Sequence, residues 1–244
     1  MGHRWEEQGE LRVDATPEEV WDAIATGPGL DAWFMGRNEV RPGERIHTDM
    51  GDFTTDFTVT AWEPAKRLAY RADTADDGSF HAQEWLIEGR DGAATVVRTV
   101  TSGFIGRDDW QGEFDAARAG NAMYVHTLVQ YLEHFRGRTA RPSVAAGALP
   151  GGREALWGRL RDRLRLTGTP AVGDPLHLTP PRVGPLDAVA DYVTPDFLGL
   201  RTADGLHRFF RAGDVVCVEH RLFGDGAATA DAAWRLWFRE TFPG

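Results

Sequence analysis

The chain has 244 residues, 42% of them hydrophobic and 26% charged, and 27 Lys and Arg against 37 Asp and Glu leave a formal net charge of −10. That length suits one large domain or two of about 100–140 residues, and the acidic balance excludes non-specific binding to nucleic acid, which needs clustered positive charge. No apolar run nears the roughly 20 residues that span a bilayer and the polar stretch Met1 to Gly9 is no secretory h-region, so a cytoplasmic globular protein without a membrane span is expected.

The acidic excess sits in the first 142 residues, which carry 15 basic and 25 acidic side chains, whereas the last 102 carry 12 of each. Cys217, the lone cysteine, can form neither an internal disulfide nor a zinc site. Its neighbours Val215, Val216 and Val218 predict a small packed hydrophobe.

In chain order, Arg4 to Val13 reads as extended. Thr16-Pro17-Glu18-Glu19 is a helix start: Thr as N-cap, Pro at the first helical position and Glu19 completing a capping box. The helix runs through Val20 to Ala25 and is expected to stop at Gly27-Pro28-Gly29, with a second short helix from Leu30 to Phe34. From Glu44 to Ser102 the period is two. Phe53, Thr55, Phe57, Val59 and Ala61 alternate with Thr54, Asp56, Thr58 and Thr60, as in a half-buried strand. Arg67 to Arg71 is a further strand and Asp73 to Gly78 a polar loop. His81 to Glu88 and Thr95 to Thr101 form a hairpin turning at Gly89 to Gly92. Asp108-Asp109 precedes a long amphipathic helix, Trp110 to Phe135, whose apolar residues recur at spacings of three and four.

Gly137 to Gly152, rich in Gly, Ala, Pro and Ser, reads as a linker. Beyond it the pattern returns in order. Leu156-Trp157-x-x-Leu160 echoes Val20-Trp21-x-x-Ile24, and Gly173 to His177 echoes Gly43 to His47. Pro195 to Arg201 echoes Pro64 to Arg71 with one residue fewer. Strands Leu206 to Arg211 and Val215 to Phe223 follow, then a closing helix, Ala227 to Phe242, with Trp234, Trp237 and Phe238 on its apolar face. The second copy shows no obvious first strand and a shorter last helix.

Pro17-Glu18-Glu19-Val20-Trp21, Ala32-Trp33-Phe34, the acidic hairpin at Asp91-Gly92, a turn at Ser102-Gly103-Phe104 and the long helix after Trp110 carry a resemblance. Over about residues 4–136 the sequence resembles bacterial homologues of the heat-shock-protein-90 ATPase activator, within the SRPBCC (START-like, helix-grip) superfamily. The resemblance implies an α+β helix-grip fold: a strongly curved antiparallel sheet around a long carboxy-terminal helix, with an apolar cavity between them. The expected organisation is a helix-grip domain over residues 1–138, a linker over 139–152 and a degenerate, truncated copy over 153–244.

A sheet with one apolar face must bury it, and the long helix is its natural cover. If the helix touches the sheet along only part of its length, a hollow remains near the small residues Ala116 to Ala122. Where the family often has a large aromatic after the helix glycine, this chain has Gly120-Asn121. His81, Gln83, Trp85 and Ile87 share one strand face by parity. The candidate ligand-cavity residues are therefore Trp33, Phe53, Phe57, Tyr70, His81, Gln83, Trp85, Asn121 and Tyr124, although His81, at the strand's start, is expected to face solvent. Asp56 and Glu84 fall on the opposite face, so no carboxylate pair is placed for acid–base work. The eight histidines show no His-x-x-x-His helix spacing and no Cys partner, so no metal site is expected. No phosphate-binding loop or nucleophile elbow is present.

The expectation is a non-catalytic binder of a hydrophobic small molecule, without cofactor. A polyketide cyclase or aromatase-like enzyme and a stress-related, co-chaperone-like interaction module are the alternatives. A homodimer or a protein partner is compatible with the second domain.

Overall fold

A computed structural model describes residues 2–51, 53–89, 94–106 and 110–243. The chain divides into two compact units, Met1–Gly137 and Arg138–Gly244. Both are α+β and helix-grip-like.

The first unit runs β1 (His3–Val13), α1 (Pro17–Ala25), α2 (Gly27–Asp31), β2 (Arg37–Arg41), β3 (Arg45–Asp49), β4 (Thr54–Glu63), β5 (Arg67–Ala72), β6 (Phe80–Gly89), β7 (Thr95–Ile105) and α3 (Trp110–His134). The strands form one antiparallel sheet in the order β1-β7-β6-β5-β4-β3-β2, so the first strand lies against the last. The capping box at α1 is complete: Glu19 N donates to Thr16 Oγ1 at 3.2 Å, and Thr16 N donates to Glu19 Oε2 at 2.8 Å. As expected, α1 stops ahead of Gly27-Pro28-Gly29, at the extended Thr26, but that triplet is not irregular. It is the first turn of α2, because Thr26 caps it by accepting from Gly29 N at 3.0 Å and Pro28 suits a helix start.

Ser102-Gly103-Phe104 is likewise no turn, since β7 continues through it to Ile105. Glycine is required there by close approach: a Cβ on Gly103 would lie 2.6 Å from the Phe80 carbonyl oxygen and 2.8 Å from the Trp5 ring. Gly103→Val should therefore push β7 off β6 and Trp5 off both. We expect the unfolding free energy of the first unit to fall by about 2–3 kcal/mol, read by urea denaturation; a cost below about 0.5 kcal/mol would show that the strands open freely at this point. The hairpin expected at Gly89 to Gly92, including Asp91-Gly92, lies mostly outside the described residues, as does Asp108-Asp109.

The second unit runs β8 (Ala140–Ala148), α4 (Gly152–Leu164), β9 (Pro175–Leu178), β10 (Leu186–Thr194), β11 (Phe197–Thr202), β12 (Gly205–Ala212), β13 (Val215–Phe223) and α5 (Ala227–Thr241). Its sheet order, β8-β13-β12-β11-β10-β9, repeats the first with one strand fewer, and again the first strand pairs with the last. The segment 139–152 is not a linker: nine of its residues form β8, the first strand that the sequence pattern of the second copy does not show. Small side chains hide it from a hydrophobicity reading. They suit the packing, since a Cβ on Gly147 would lie 3.2 Å from the Phe238 ring, and Pro142 is tolerated because β8 is an edge strand.

The correspondence extends to irregularities. In β4 the pairing with β5 shifts between Val59 and Ala61, and in β10 the pairing with β11 shifts between Ala190 and Tyr192. Cross-strand His–Asp pairs recur at equivalent places, His47 to Asp56 at 2.9 Å and His177 to Asp187 at 2.6 Å. A bulge bends its strand and strengthens the local twist, so both sheets curve at the same point.

In the second unit the space between sheet and helix is filled. Trp234 lies over His207, His220 and Phe209 at ring separations of 5.1, 4.4 and 5.8 Å. Trp237 packs on Phe209, and its indole N–H donates to the Arg163 carbonyl at 3.2 Å. Trp234, Trp237 and Phe238 are thus spent on this unit's own core and are not a surface for a partner. Asp231 ties α5 to β8 by accepting from Ser143, Arg141 and Arg235 at 2.6, 3.0 and 2.7 Å. Cys217 is half-buried, and burial, with Glu219 nearby, pushes its thiol up to about 12, so it holds almost no thiolate.

Candidate ligand cavity in the first unit

The site follows from how α3 meets its sheet. Met123, Thr127, Leu128, Tyr131 and Leu132, all in its carboxy-terminal half, are the buried residues of this helix. The turns from Gln111 to Arg118 stand largely in solvent. Where the helix lifts away, Ala117, Gly120 and Asn121 leave the sheet uncovered by bulky side chains, and they line a cavity of about 320 Å³. That volume lies within the range of small-molecule sites.

One wall is aromatic. Trp33 and Trp85, both buried, meet edge to face at 5.7 Å, and the Trp33 indole N–H donates to the Ala23 carbonyl at 2.9 Å. Phe34 packs on Tyr124 at 5.5 Å and on Phe57 at 6.4 Å, and Phe57 packs on Tyr70 at 5.3 Å. These rings fix one another, so the hollow is held open by packing.

The other wall is a polar ladder set by strand register. Gln83 on β6 lies between Tyr70 on β5 and Thr101 on β7. Asn121 Nδ2 donates to Thr101 Oγ1 at 3.2 Å, Thr101 Oγ1 donates to Gln83 Oε1 at 2.7 Å, and Gln83 Nε2 donates to the Glu84 carbonyl at 3.1 Å. Two residues along β6, His81 lines the same cavity beside Trp5, 5.9 Å away between ring centroids. Burial depresses its pKa below the ordinary 6.5, so the imidazole is neutral at pH 7. Burial also raises the Tyr70 hydroxyl to about 12, offset in part by the Trp85 hydrogen bond; Tyr70 is a donor at neutral pH, not a base.

Eight of the nine candidate residues, Trp33, Phe57, Tyr70, His81, Gln83, Trp85, Asn121 and Tyr124, therefore come together around one space. Phe53 does not. It is 61% exposed, and its carbonyl accepts from Met50 N at 2.9 Å in the turn before β4, so the alternation that included it runs one residue past the strand. The expectation that His81 faces solvent is also corrected, because it falls on the cavity side with Gln83 and Trp85. Phe34, Met35, Ala117 and Gly120 complete the lining and were not in the candidate set. The small residues of α3 were a legible signal for the last two; Met35, in the segment after α2, had none. Asp56 and Glu84 stay away from the cavity, paired with His47 and Arg67. Among the described residues no three His, Cys, Asp or Glu side chains are grouped to hold a metal ion, and no helix is long and apolar enough to cross a membrane.

Residues 14–133 match the family model described as Activator of Hsp90 ATPase homolog 1-like protein. The first unit is similar to this Aha1-like family over most of its length. No curated protein matches the chain in sequence. Among solved structures, the di-domain ARO/CYC BexL from the BE-7585A biosynthetic pathway is 15% identical, with 97% of this chain and 94% of that one covered at a TM-score of 0.47. DynU16, a protein of the dynemicin biosynthetic locus, is 20% identical, with coverages of 97% and 95% and a TM-score of 0.45. The Aha1 dimer from Colwellia psychrerythraea is 19% identical over 55% of this chain and 99% of that one, with a TM-score of 0.45. The Aha1-like unit contributes the cavity, the aromatic wall and the polar ladder described above.

Proposed function

We propose that the protein binds a small hydrophobic molecule in the cavity between the sheet and α3 of its Aha1-like unit. The observation that carries this reading is a pre-formed hollow of about 320 Å³ enclosed mostly by aromatic rings and edged by a few placed polar groups, the usual make-up of a small-molecule site. Binding needs no further chemistry, and among the described residues that line the space there is no Asp or Glu.

The test is titration of the full chain with N-phenyl-1-naphthylamine, an uncharged probe that brightens in apolar surroundings. We expect saturable uptake of one probe per chain, weakened at least about tenfold in Tyr124→Ala, which opens one wall. Absence of saturable uptake would refute the proposal.

A catalytic reading, of the polyketide-cyclase kind, has one observation in its favour: a neutral imidazole at His81, able to accept a proton, lines the cavity. His81→Phe separates the two readings. A binder keeps its probe affinity within about threefold and never shows turnover, whereas an enzyme loses turnover of an accepted substrate while still binding it.

A further inference from the structure

The unspent hydrogen-bonding capacity of the cavity wall narrows what the ligand is. This step rests on the binding reading above. Within the ladder, Gln83 has given one amide N–H to the Glu84 carbonyl and its oxygen to Thr101, and keeps a second N–H. Asn121 has given one N–H to Thr101 and keeps the other, together with its carbonyl oxygen. Tyr70 keeps its O–H, because Trp85 is the donor in their hydrogen bond. The wall thus offers donors from one cross-strand row, Tyr70 and Gln83, and a further donor and one strong acceptor from Asn121 on α3 beside it. A hydroxyl, which both donates and accepts, satisfies such a mixed set. A ketone or ether, which only accepts, leaves the Asn121 carbonyl unanswered.

Charge decides the rest. Among the described residues the lining includes no Lys, Arg, Asp or Glu; its imidazole, His81, is neutral at pH 7, and the Tyr70 hydroxyl, raised to about 12, is neutral as well. An ionised ligand would enter a mostly aromatic enclosure without a counter-charge, which costs far more than a neutral polar group with partners. The rings of Trp33, Phe34, Phe57 and Trp85 offer faces and edges to a flat π-system.

We propose that the cavity selects an uncharged, flat aromatic alcohol of phenol type, with its hydroxyl against the Gln83–Asn121 wall and its ring system in the aromatic box, and rejects the corresponding carboxylate.

The experiment displaces bound N-phenyl-1-naphthylamine from the full chain at neutral pH with 1-naphthol and, separately, with 1-naphthoate, which share a ring system and differ in charge. The expected result is displacement by 1-naphthol, with 1-naphthoate at least about thirtyfold weaker. Asn121→Leu removes the acceptor while Thr101 keeps its bond to Gln83, and should weaken 1-naphthol about three- to tenfold more than it changes the affinity of the probe, measured in the same variant. Equal displacement by the two competitors overturns the selectivity and leaves the binding reading intact. A 1-naphthol affinity that falls no more than the probe's in Asn121→Leu overturns the assigned wall. Failure of the probe itself to bind removes the binding reading, and the selectivity with it.

Discussion

Gly120→Phe should abolish probe binding while leaving the protein at least as stable as it was. A Cβ on Gly120 meets nothing within 4 Å, and the residue lines the cavity on the face of α3 turned to the sheet. A phenyl group there enters space already enclosed by rings. Replacing a helix-interior glycine contributes about 0.5–1 kcal/mol through the unfolded state, and burying the new ring adds roughly 1.5–3 kcal/mol if it fits without strain. Two measurements check this outcome together: the affinity for N-phenyl-1-naphthylamine, expected to fall more than about a hundredfold, and the thermal midpoint, expected to hold or rise. A variant that binds as well as the parent would show that the probe sits elsewhere. A strongly destabilised one would show that the space is needed by the fold.

Acid should destabilise the second unit before the carboxylates are titrated. His207 and His220 sit opposite each other on β12 and β13, their rings 4.7 Å apart, beneath Trp234. Both are almost wholly buried. Among the described residues no carboxylate hydrogen-bonds to either imidazole; Thr202 Oγ1 approaches His207 Nε2 at 3.4 Å. The positive charges of Arg208 and Arg221 on the neighbouring sheet positions further oppose protonation. Burial leads the causes, holding His207 at about 3 and His220 well below its ordinary value.

The folded values are thus depressed below the unfolded value of about 6.5. Above that pH both states hold neutral rings and nothing is lost. Below it the unfolded chain takes up protons that the native unit refuses, so stability falls with pH. From about pH 7 to about pH 5 His207 costs roughly 2 kcal/mol, and His220 adds to the loss in the same direction. Asp196, held low chiefly by Arg153 and then Arg211, and Asp231, held low against its burial by hydrogen bonds from Ser143, Arg141 and Arg235, give up their contribution only below this window. Amide hydrogen exchange in β13 and α5 at the two pH values measures the effect on this unit alone. The double variant His207→Gln with His220→Leu should remove most of the dependence. Equal protection at both pH values in the parent would contradict the account.

The two units make these opposite predictions from one blueprint. Gln83 and Thr101 face each other across β6 and β7, as His207 and His220 do across β12 and β13. Above the first pair α3 brings an asparagine and a glycine; above the second α5 brings a tryptophan. One copy keeps its hollow and the other fills it with Trp234.

How much of this could be read in the residues depended on side-chain signal. The run that opens with Val215, Val216 and Val218 announces β13, and Thr16-Pro17-Glu18-Glu19 announces α1, because both act through their own backbone. Parity on β6 brought Gln83, Trp85 and His81 to one face, since a two-residue period admits no other arrangement. Strand β8 was invisible: its Ala, Gly and Ser residues carry no apolar period, and its nine pairings to β13 are long-range. Gly27-Pro28-Gly29 and Ser102-Gly103-Phe104 read as breaks although each glycine serves a close approach within regular structure. That Trp234 fills an interior while Asn121 borders an empty one depends on how far a helix stands from its sheet, which no local pattern encodes.

The central claim is that the Aha1-like unit holds a guest, and native mass spectrometry of the full chain recovered from its own host tests it most directly. The account predicts a non-covalent mass increment of a single small molecule per chain, missing from Gly120→Phe produced in the same way. A parent chain that flies bare and also fails to take up the neutral probe afterwards would contradict it.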